Sequence, residues 1–164
     1  MKIISYETKY RAELAKMVND FNDYIVSLDK SGLYKPFDNQ DDINKYTDKC
    51  VADAKEMNGF LYLATDDNQV VGFIQGVIVD CKKDLMYSLT HSSKIQGWIG
   101  ELYVVEGSRG AGIGKQLMQK AIDHFKSNNC DLLCLEAYWH NKTAIEIYES
   151  IGMNIGDIKM EKKL

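Results

Sequence analysis

The stretch that decides the fold reads ELYVVEGSRGAGIGK and spans residues 101–115. Strand-forming residues at 102–105 are followed by a short turn and then by three glycines, Gly110, Gly112 and Gly114, directly ahead of a helical pattern. Because glycine tolerates positive φ and has no Cβ, such a loop can aim several backbone N–H groups at one point, where the dipole of the following helix also favours negative charge. The stretch therefore predicts a strand, a phosphate-binding loop and a helix N-terminus.

Two common phosphate-binding motifs do not fit this loop. A Walker loop needs a glycine five residues before its Gly-Lys pair and a Ser or Thr after it, but this chain has Arg109 and Gln116 at those positions. A dinucleotide-binding fingerprint places its third glycine three residues after the second, where this chain has Lys115. That fingerprint also normally opens a βαβ unit, whereas here about a hundred residues precede the loop.

Residues 109–114, RGAGIG, instead resemble the pyrophosphate loop of the GNAT superfamily of N-acetyltransferases. The pattern of that loop is Gln or Arg, two residues, Gly, one residue, then Gly or Ala, and every defined position is matched. A second, downstream series resembles the family's Asn, Ala, Tyr, Gly and Phe residues, with methionine replacing the usual phenylalanine. It consists of Asn141, Ala144, Tyr148, Gly152 and Met153.

Hydrophobic periodicity predicts an alternation of strands and helices. The predicted strands cover 2–6, 60–65, 70–79, 96–105, 132–138 and 155–164, and the predicted helices cover 10–25, 40–57, 113–125 and 141–151. Residues 80–94 fit no regular pattern beyond a loop with a short helix. A helix joins the strands at 96–105 and 132–138, so these two strands are expected to be parallel.

This order of elements is similar to the GNAT fold. The resemblance implies an α/β structure with a mixed, mostly antiparallel sheet, a central parallel βαβ crossover and flanking helices. A chain of 164 residues is the size of one ordinary domain, so we expect a single domain over 1–164.

Composition narrows the classes of function. No apolar run approaches the roughly 20 residues needed to cross a bilayer, and the N-terminus lacks an export signal, so we expect a cytoplasmic protein that does not bind membranes. A net charge of −4 argues against a general nucleic-acid surface. The four cysteines form no CxxC pair and the three histidines are scattered, so we predict reduced thiols and no metal site.

The resemblance to the GNAT family assigns chemical roles to two residues. Glu101 corresponds to the base that deprotonates the amine, acting through water. The alternative interpretation is that Glu101 is a salt-bridged or solvated glutamate of the strand without a catalytic role. Tyr148 corresponds to the general acid that protonates the departing thiolate. The alternative interpretation is that Tyr148 only packs on an apolar helix face. Asn141 is either a pantetheine contact, a helix N-cap, or both.

The same resemblance implies a binding site for acetyl-CoA as the acetyl donor. Backbone groups of the strand would pair with the pantetheine arm, and the loop would hold the pyrophosphate, with Arg109 as a cationic contact and Lys115 as a helper. The implied set is Leu102, Tyr103, Val104, Arg109, Gly110, Ala111, Gly112, Ile113, Gly114, Lys115 and Asn141.

The leading hypothesis is an acetyl-CoA-dependent N-acetyltransferase in which a primary amine attacks the thioester directly in a ternary complex. The alternatives are a non-catalytic acyl-CoA sensor and a phosphate-loop nucleotide-binding protein. The acceptor is an amine-bearing small molecule or peptide. Loop residues that could face this amine are left outside the predicted site: Asp29, Tyr34, Phe37, Asp38 and Asp80. Because only about a dozen residues follow Gly152, we also expect a homodimer whose C-terminal strands meet or exchange.

Overall fold

The sheet of the protein contains five strands in the order β1-β2-β3-β4-β5. The computed structural model describes residues 1–160. The strands are β1 (Lys2–Ser5), β2 (Phe60–Asp66), β3 (Gln69–Asp80), β4 (Ile95–Val104) and β5 (Leu132–Leu135). Neighbouring strands are antiparallel except for the β4–β5 pair, which is parallel. The predicted mixed α/β sheet with one parallel crossover is confirmed.

Helices cover both faces of this sheet. They are α1 (Arg11–Leu28), α2 (Gln40–Glu56), α3 (Leu85–Thr90), α4 (Ile113–Ser127) and α5 (Lys142–Ser150). Because successive strand residues point to opposite faces, Phe73 packs with Leu14 of α1, whereas its neighbour Ile74 packs with Leu117 of α4. Among residues 1–160, no helix combines the length and apolarity required to cross a bilayer.

A β-bulge at Gly100 separates two halves of β4. Gln75 pairs with Glu101 and Gly76 pairs with Ile99, so Gly100 is an extra residue in β4. A Cβ at Gly100 would lie well under 3.0 Å from Oε1 of Gln75, so a larger residue in this bulge would require the Gln75 side chain to shift. Strand β5 pairs with β4 only at 96–99, before the bulge. Beyond the bulge, β4 is paired with β3 alone among residues 1–160, and its other edge is open to these residues.

The structure corrects two predicted strand boundaries. Strand β5 ends at Leu135 and not at 138, because β4 offers it no pairing partner past the bulge. The predicted last strand at 155–164 is wrong for 155–160, which contain no strand. Gly156 and Asp157 are poor strand formers, and Met160 is almost fully exposed, so packing does not compensate. Residues 161–164 of that prediction lie outside the described part of the chain.

Candidate active site

The glycine loop adopts the conformation that its sequence requires. Gly110 and Gly112 have φ values of 83° and 75°, in the left-handed region that favours glycine. Gly112 is also the N-cap residue of α4, where no described side chain satisfies the first N–H groups of the helix. Ile113 is buried and anchors the loop to the core, whereas Ala111 and Lys115 are exposed. The loop therefore presents backbone N–H groups and the positive end of the α4 dipole to solvent.

Arg109 lies at the start of this loop, beside the open edge of β4. Its Nε donates a hydrogen bond to the carbonyl of Val104 at 2.9 Å. The guanidinium lies over two aromatic rings, 5.0 Å from the centroid of Tyr24 and 5.6 Å from that of Tyr103. These contacts hold an exposed cation at the junction of strand and loop.

The backbone groups along the open edge of β4 have no strand partner within residues 1–160. The N–H of Val105 donates to the carbonyl of Val71 at 2.9 Å, so the backbone of Val105 faces β3. Alternation along the strand then turns the N–H and C=O groups of Leu102 and Val104 toward the open edge, in agreement with the contact from Arg109. The side chains of Leu102 and Val104 pack against the core, whereas the backbone of Tyr103 faces β3.

Glu101 is the one charged residue in the buried part of the described chain, with 7% of its surface exposed. The hydroxyl of Tyr46 donates a hydrogen bond to its Oε1, and its Oε2 is buried without a partner among the described residues. Burial raises the pKa of Glu101 to about 7, against a smaller lowering by the Tyr46 hydrogen bond. The carboxyl is neither solvated nor, within the described residues, salt-bridged, and it titrates near neutral pH.

Tyr148 lies on α5 and packs against the core cluster to which α4 contributes Leu117 and Phe125. Burial raises its pKa to about 12, and the nearby Tyr24 adds to the shift. The phenol therefore keeps its proton at neutral pH. This position is compatible with both roles considered for Tyr148, packing and proton donation.

Asn141 is the N-cap of α5, as its sequence context predicts. Its Oδ1 accepts the backbone N–H of Ala144 at 3.3 Å and the hydroxyl of Tyr24 at 3.1 Å. Tyr24 thus connects the C-terminal half of α1 to α5 and also lies under Arg109. Through these contacts Tyr24 links two of the predicted site residues, Asn141 and Arg109.

The loop between α1 and α2 borders the site. The carboxylate of Asp29 accepts the backbone N–H groups of Ser31, Leu33 and Tyr34 at 2.6–2.8 Å, and the Ser31 hydroxyl and these N–H groups lower its pKa to about 2. The ring of Tyr34 packs edge-on against Tyr138, with centroids 5.6 Å apart. The loop is therefore held against the segment that follows β5.

Two other acidic residues left outside the predicted site have structural roles elsewhere. Asp38 pairs with Lys35 at the surface, and Asp80 accepts the N–H of Lys82 in a turn after β3. In contrast, the ring of Phe37 contacts Tyr46, the donor to Glu101, with ring centroids 5.4 Å apart. Within residues 1–160, no group of His, Cys, Asp and Glu side chains is arranged to hold a metal ion.

Tyr24 and Tyr46 are the two site residues that the sequence did not reveal. Periodicity places Tyr46 only within the predicted helix at 40–57, and Tyr24 follows Phe21 at helical spacing. Their partners lie 55 and 117 residues further along the chain, at Glu101 and Asn141. Helical periodicity marks such residues as inward-facing but does not identify a partner on another element.

Comparison with known families matches residues 21–153 to the model of the acetyltransferase (GNAT) family. Among curated proteins, the chain is similar to N-alpha-acetyltransferase 30 of Saccharomyces cerevisiae, with 33% identity over 91 residues, which cover 56% of this chain and 49% of the relative. It is also similar to N-alpha-acetyltransferase 30 of Schizosaccharomyces pombe, with 30% identity over 93 residues, 57% of this chain and 56% of the relative. The chain thus matches about half the length of these relatives.

Solved structures show the same fold. A mutant of a Bacillus halodurans protein has a TM-score of 0.81 and 21% identity, covering 100% of this chain and 99% of its own. A predicted acetyltransferase from Clostridium acetobutylicum, solved with acetyl-CoA, has a TM-score of 0.70 and 17% identity, covering 99% of this chain and 95% of its own. Ribosomal-protein-alanine N-acetyltransferase from Brucella melitensis has a TM-score of 0.68 and 17% identity, covering 100% of both chains.

Proposed function

The chain belongs to the GNAT family of acetyltransferases, and from this membership we propose that it transfers the acetyl group of acetyl-CoA to a primary amine. One observation carries the proposal. The same strand places a buried carboxyl that titrates near neutral pH, Glu101, directly before an open backbone edge and a glycine loop. This adjacency supports Glu101 as the proposed amine base and the β4 edge with its loop as the proposed cradle for a long phosphorylated thioester.

The loop and the edge of β4 suit the two parts of the donor. The N–H groups of residues 110–115 and the α4 dipole would bind the pyrophosphate, with Lys115 nearby. The backbone of Leu102 and Val104 would pair with the pantetheine amides as an added strand does. In this arrangement Arg109 would exchange its contact with the Val104 carbonyl for the pyrophosphate.

Glu101 and Tyr148 would divide the proton transfers between them. Glu101 takes a proton from the ammonium, directly or through water, and the freed nitrogen lone pair attacks the thioester carbonyl carbon in the ternary complex. A backbone N–H at the open edge stabilises the oxyanion. As the C–S bond breaks, Tyr148 protonates the thiolate and is reprotonated by the proton that the nitrogen sheds on becoming an amide.

The peptide N-terminus is the first acceptor class to test, because both yeast relatives are N-alpha-acetyltransferases. Small-molecule amines and lysine side chains complete the panel. The loop acids Asp29 and Asp38 are already engaged, by backbone N–H groups and by Lys35 respectively.

Calorimetry with acetyl-CoA and with ATP, followed by turnover assays on the amine panel, tests the proposal. We expect acetyl-CoA to bind more tightly than ATP and at least one amine to be acetylated. Gly112→Val should abolish acetyl-CoA binding because valine does not tolerate the positive φ, whereas Gly107→Ala, where a Cβ meets nothing within 4 Å, should bind normally. Tighter binding of ATP would contradict the proposal, and binding without turnover would identify an acyl-CoA sensor.

A further inference from the structure

The contact between Tyr46 and Glu101 joins α2 to the strand that carries the proposed base. The Tyr46 hydroxyl donates to Oε1 of the buried carboxyl, although the Tyr46 residue as a whole is 40% exposed. The ring is fixed from the side by Phe37, with centroids 5.4 Å apart and planes at 62°. The polar tip of Tyr46 therefore reaches inward from the rim of the site to Glu101.

The two oxygens of Glu101 differ in their surroundings. Oε1 has the Tyr46 hydroxyl as its donor, whereas Oε2 is the single buried side-chain N or O atom without a hydrogen-bond partner in residues 1–160. Buried polar atoms without partners are rare because losing water without a replacement is costly. A side chain more than nine-tenths buried whose Oε2 has no donor in residues 1–160 thus points to a donor from outside these residues.

We propose that Tyr46 is a positioning residue for the acetyl transfer, which holds Oε1 of Glu101 so that Oε2 takes the proton of the acceptor amine. The inference rests on the proposed function. In this step one N–H bond of the ammonium breaks, the electron pair stays on nitrogen, and an O–H bond forms at Oε2. The Tyr46 proton remains on its phenol throughout.

The charged state of Glu101 depends on this contact. A hydrogen bond donated to a carboxylate stabilises its ionised form, so the Tyr46 hydroxyl lowers the pKa that burial has raised. The other titratable group of α2 that faces Glu101 is the Cys50 thiol. Burial raises the pKa values of both Tyr46 and Cys50, that of Cys50 to about 12, so both stay neutral near pH 7. Gln75, the residue paired with Glu101 on β3, carries no charge.

Replacing Tyr46 with Phe tests the inference, because the ring is kept and only the hydroxyl is lost. The base must be ionised, so kcat/KM falls on the acid side of the Glu101 pKa. We expect Tyr46→Phe to move this acid limb to higher pH by about one unit, with most of the activity recovered above the new pKa. Tyr62→Phe is the matched control, because it also loses a hydroxyl contact, to Nδ1 of His124 at 3.1 Å, but on the opposite face of the sheet. Tyr62→Phe should leave the acid limb of the kcat/KM profile at the same pH as in the parent.

Combining Tyr46→Phe with Glu101→Gln tests whether Tyr46 acts by positioning Glu101 or only by packing. If Tyr46 acts through the Glu101 carboxylate, Tyr46→Phe should cost little further kcat/KM in a Glu101→Gln background. A loss as large as in the parent would show that Tyr46 acts independently and would overturn the inference. Because a general loss of folding would also lower both backgrounds equally, kcat/KM is compared only among variants that circular dichroism shows to be folded.

Direct titration of Glu101 distinguishes a failure of this inference from a failure of the proposed function. Carbon-13 carboxyl shifts of glutamate-labelled protein, with Glu101→Gln for assignment, should give a higher pKa for Glu101 in Tyr46→Phe than in the parent. An unchanged pKa, or a shifted pKa that the kinetic limb does not follow, would overturn the inference. A parent protein that acetylates no amine contradicts the proposed function, while the titration still decides whether Tyr46 holds Glu101.

Discussion

Burial of Glu101 lowers the stability of the folded protein at neutral pH, whereas the proposed chemistry needs this carboxyl in its ionised form. Burial raises its pKa from the ordinary value of 4.5 to about 7. The folded state therefore binds a proton more tightly than the unfolded state does. The free energy of folding lost by keeping an ionised Glu101 buried is zero below pH 4.5, grows as the pH rises from 4.5 to 7, and is fully present above pH 7.

Glu101→Gln is thus expected to gain stability relative to the parent as the pH rises. The amide has the same shape but does not ionise, so the difference in free energy of unfolding should change by roughly 3 kcal/mol between pH 4 and pH 8 in favour of the variant. Urea unfolding at pH 4, 6 and 8 measures this difference. A difference that stays constant with pH would mean that Glu101 is not buried as an acid.

Tyr148→Phe distinguishes proton donation from packing at a second residue. The variant ring fills the same place, so a packing residue should leave kcat nearly unchanged, whereas a general acid should lose about 10²- to 10⁴-fold. Binding of acetyl-CoA should change little in either case. Steady-state kinetics and calorimetry on the same samples measure both quantities.

The pH dependence of kcat provides a control for the Tyr148→Phe experiment. Because burial holds its pKa at about 12, we expect no fall in kcat from ionisation of this residue below that pH. A folded Tyr148→Phe variant with the parental kcat and profile would assign Tyr148 to the core and leave water as the proton source.

At the scale of elements, close packing between β4 and α4 positions the glycine loop. A Cβ at Gly97 would lie well under 3.0 Å from ring atoms of Phe125, which is almost fully buried and has no room to move. Gly97→Ala is therefore expected to destabilise the protein by about 1–3 kcal/mol through overpacking. Chemical denaturation measures the loss. Gly107→Ala is the matched control, and equal stability of the two variants would contradict the close contact.

Local chemistry explains which elements could be predicted from the sequence. Helix α4, its glycine loop and the Asn141 cap depend on residues within a few positions of each other, and all three were predicted. The bulge at Gly100 depends instead on the register with β3, which periodicity within one strand does not determine. Because the bulge was not foreseen, the predicted strand at 132–138 extended too far.

In the candidate site, too, a contact between distant elements could not be predicted from the sequence. Glu101 was predicted as a site residue through the family resemblance, but its hydrogen bond to Tyr46 joins elements that meet only in the folded sheet. Tyr24 was not predicted for the same reason, since its contacts with Asn141 and Arg109 bring together α1, α5 and the loop. Such contacts depend on the packing of whole elements, which a residue pattern does not contain.

At the scale of the whole molecule, β5 is one of the two edge strands of the sheet within residues 1–160. An exposed edge offers backbone groups to another chain. Leu132 on β5 is 43% exposed, and the segment at 155–160 exposes Ile158 and Met160. Apolar side chains and an open edge therefore lie in the same C-terminal part of the described structure.

We predict a homodimer in which these C-terminal segments meet or exchange across the β5 edge. Sedimentation velocity at micromolar concentrations should show a dimer for the parent, and Ile158→Glu should shift the population toward monomer because a charge at the interface would lose its water. Leu85→Glu is the matched control, since Leu85 is a similarly exposed apolar residue on α3. A parent that sediments only as a monomer would refute the prediction, and dissociation by Leu85→Glu alone would move the interface to α3.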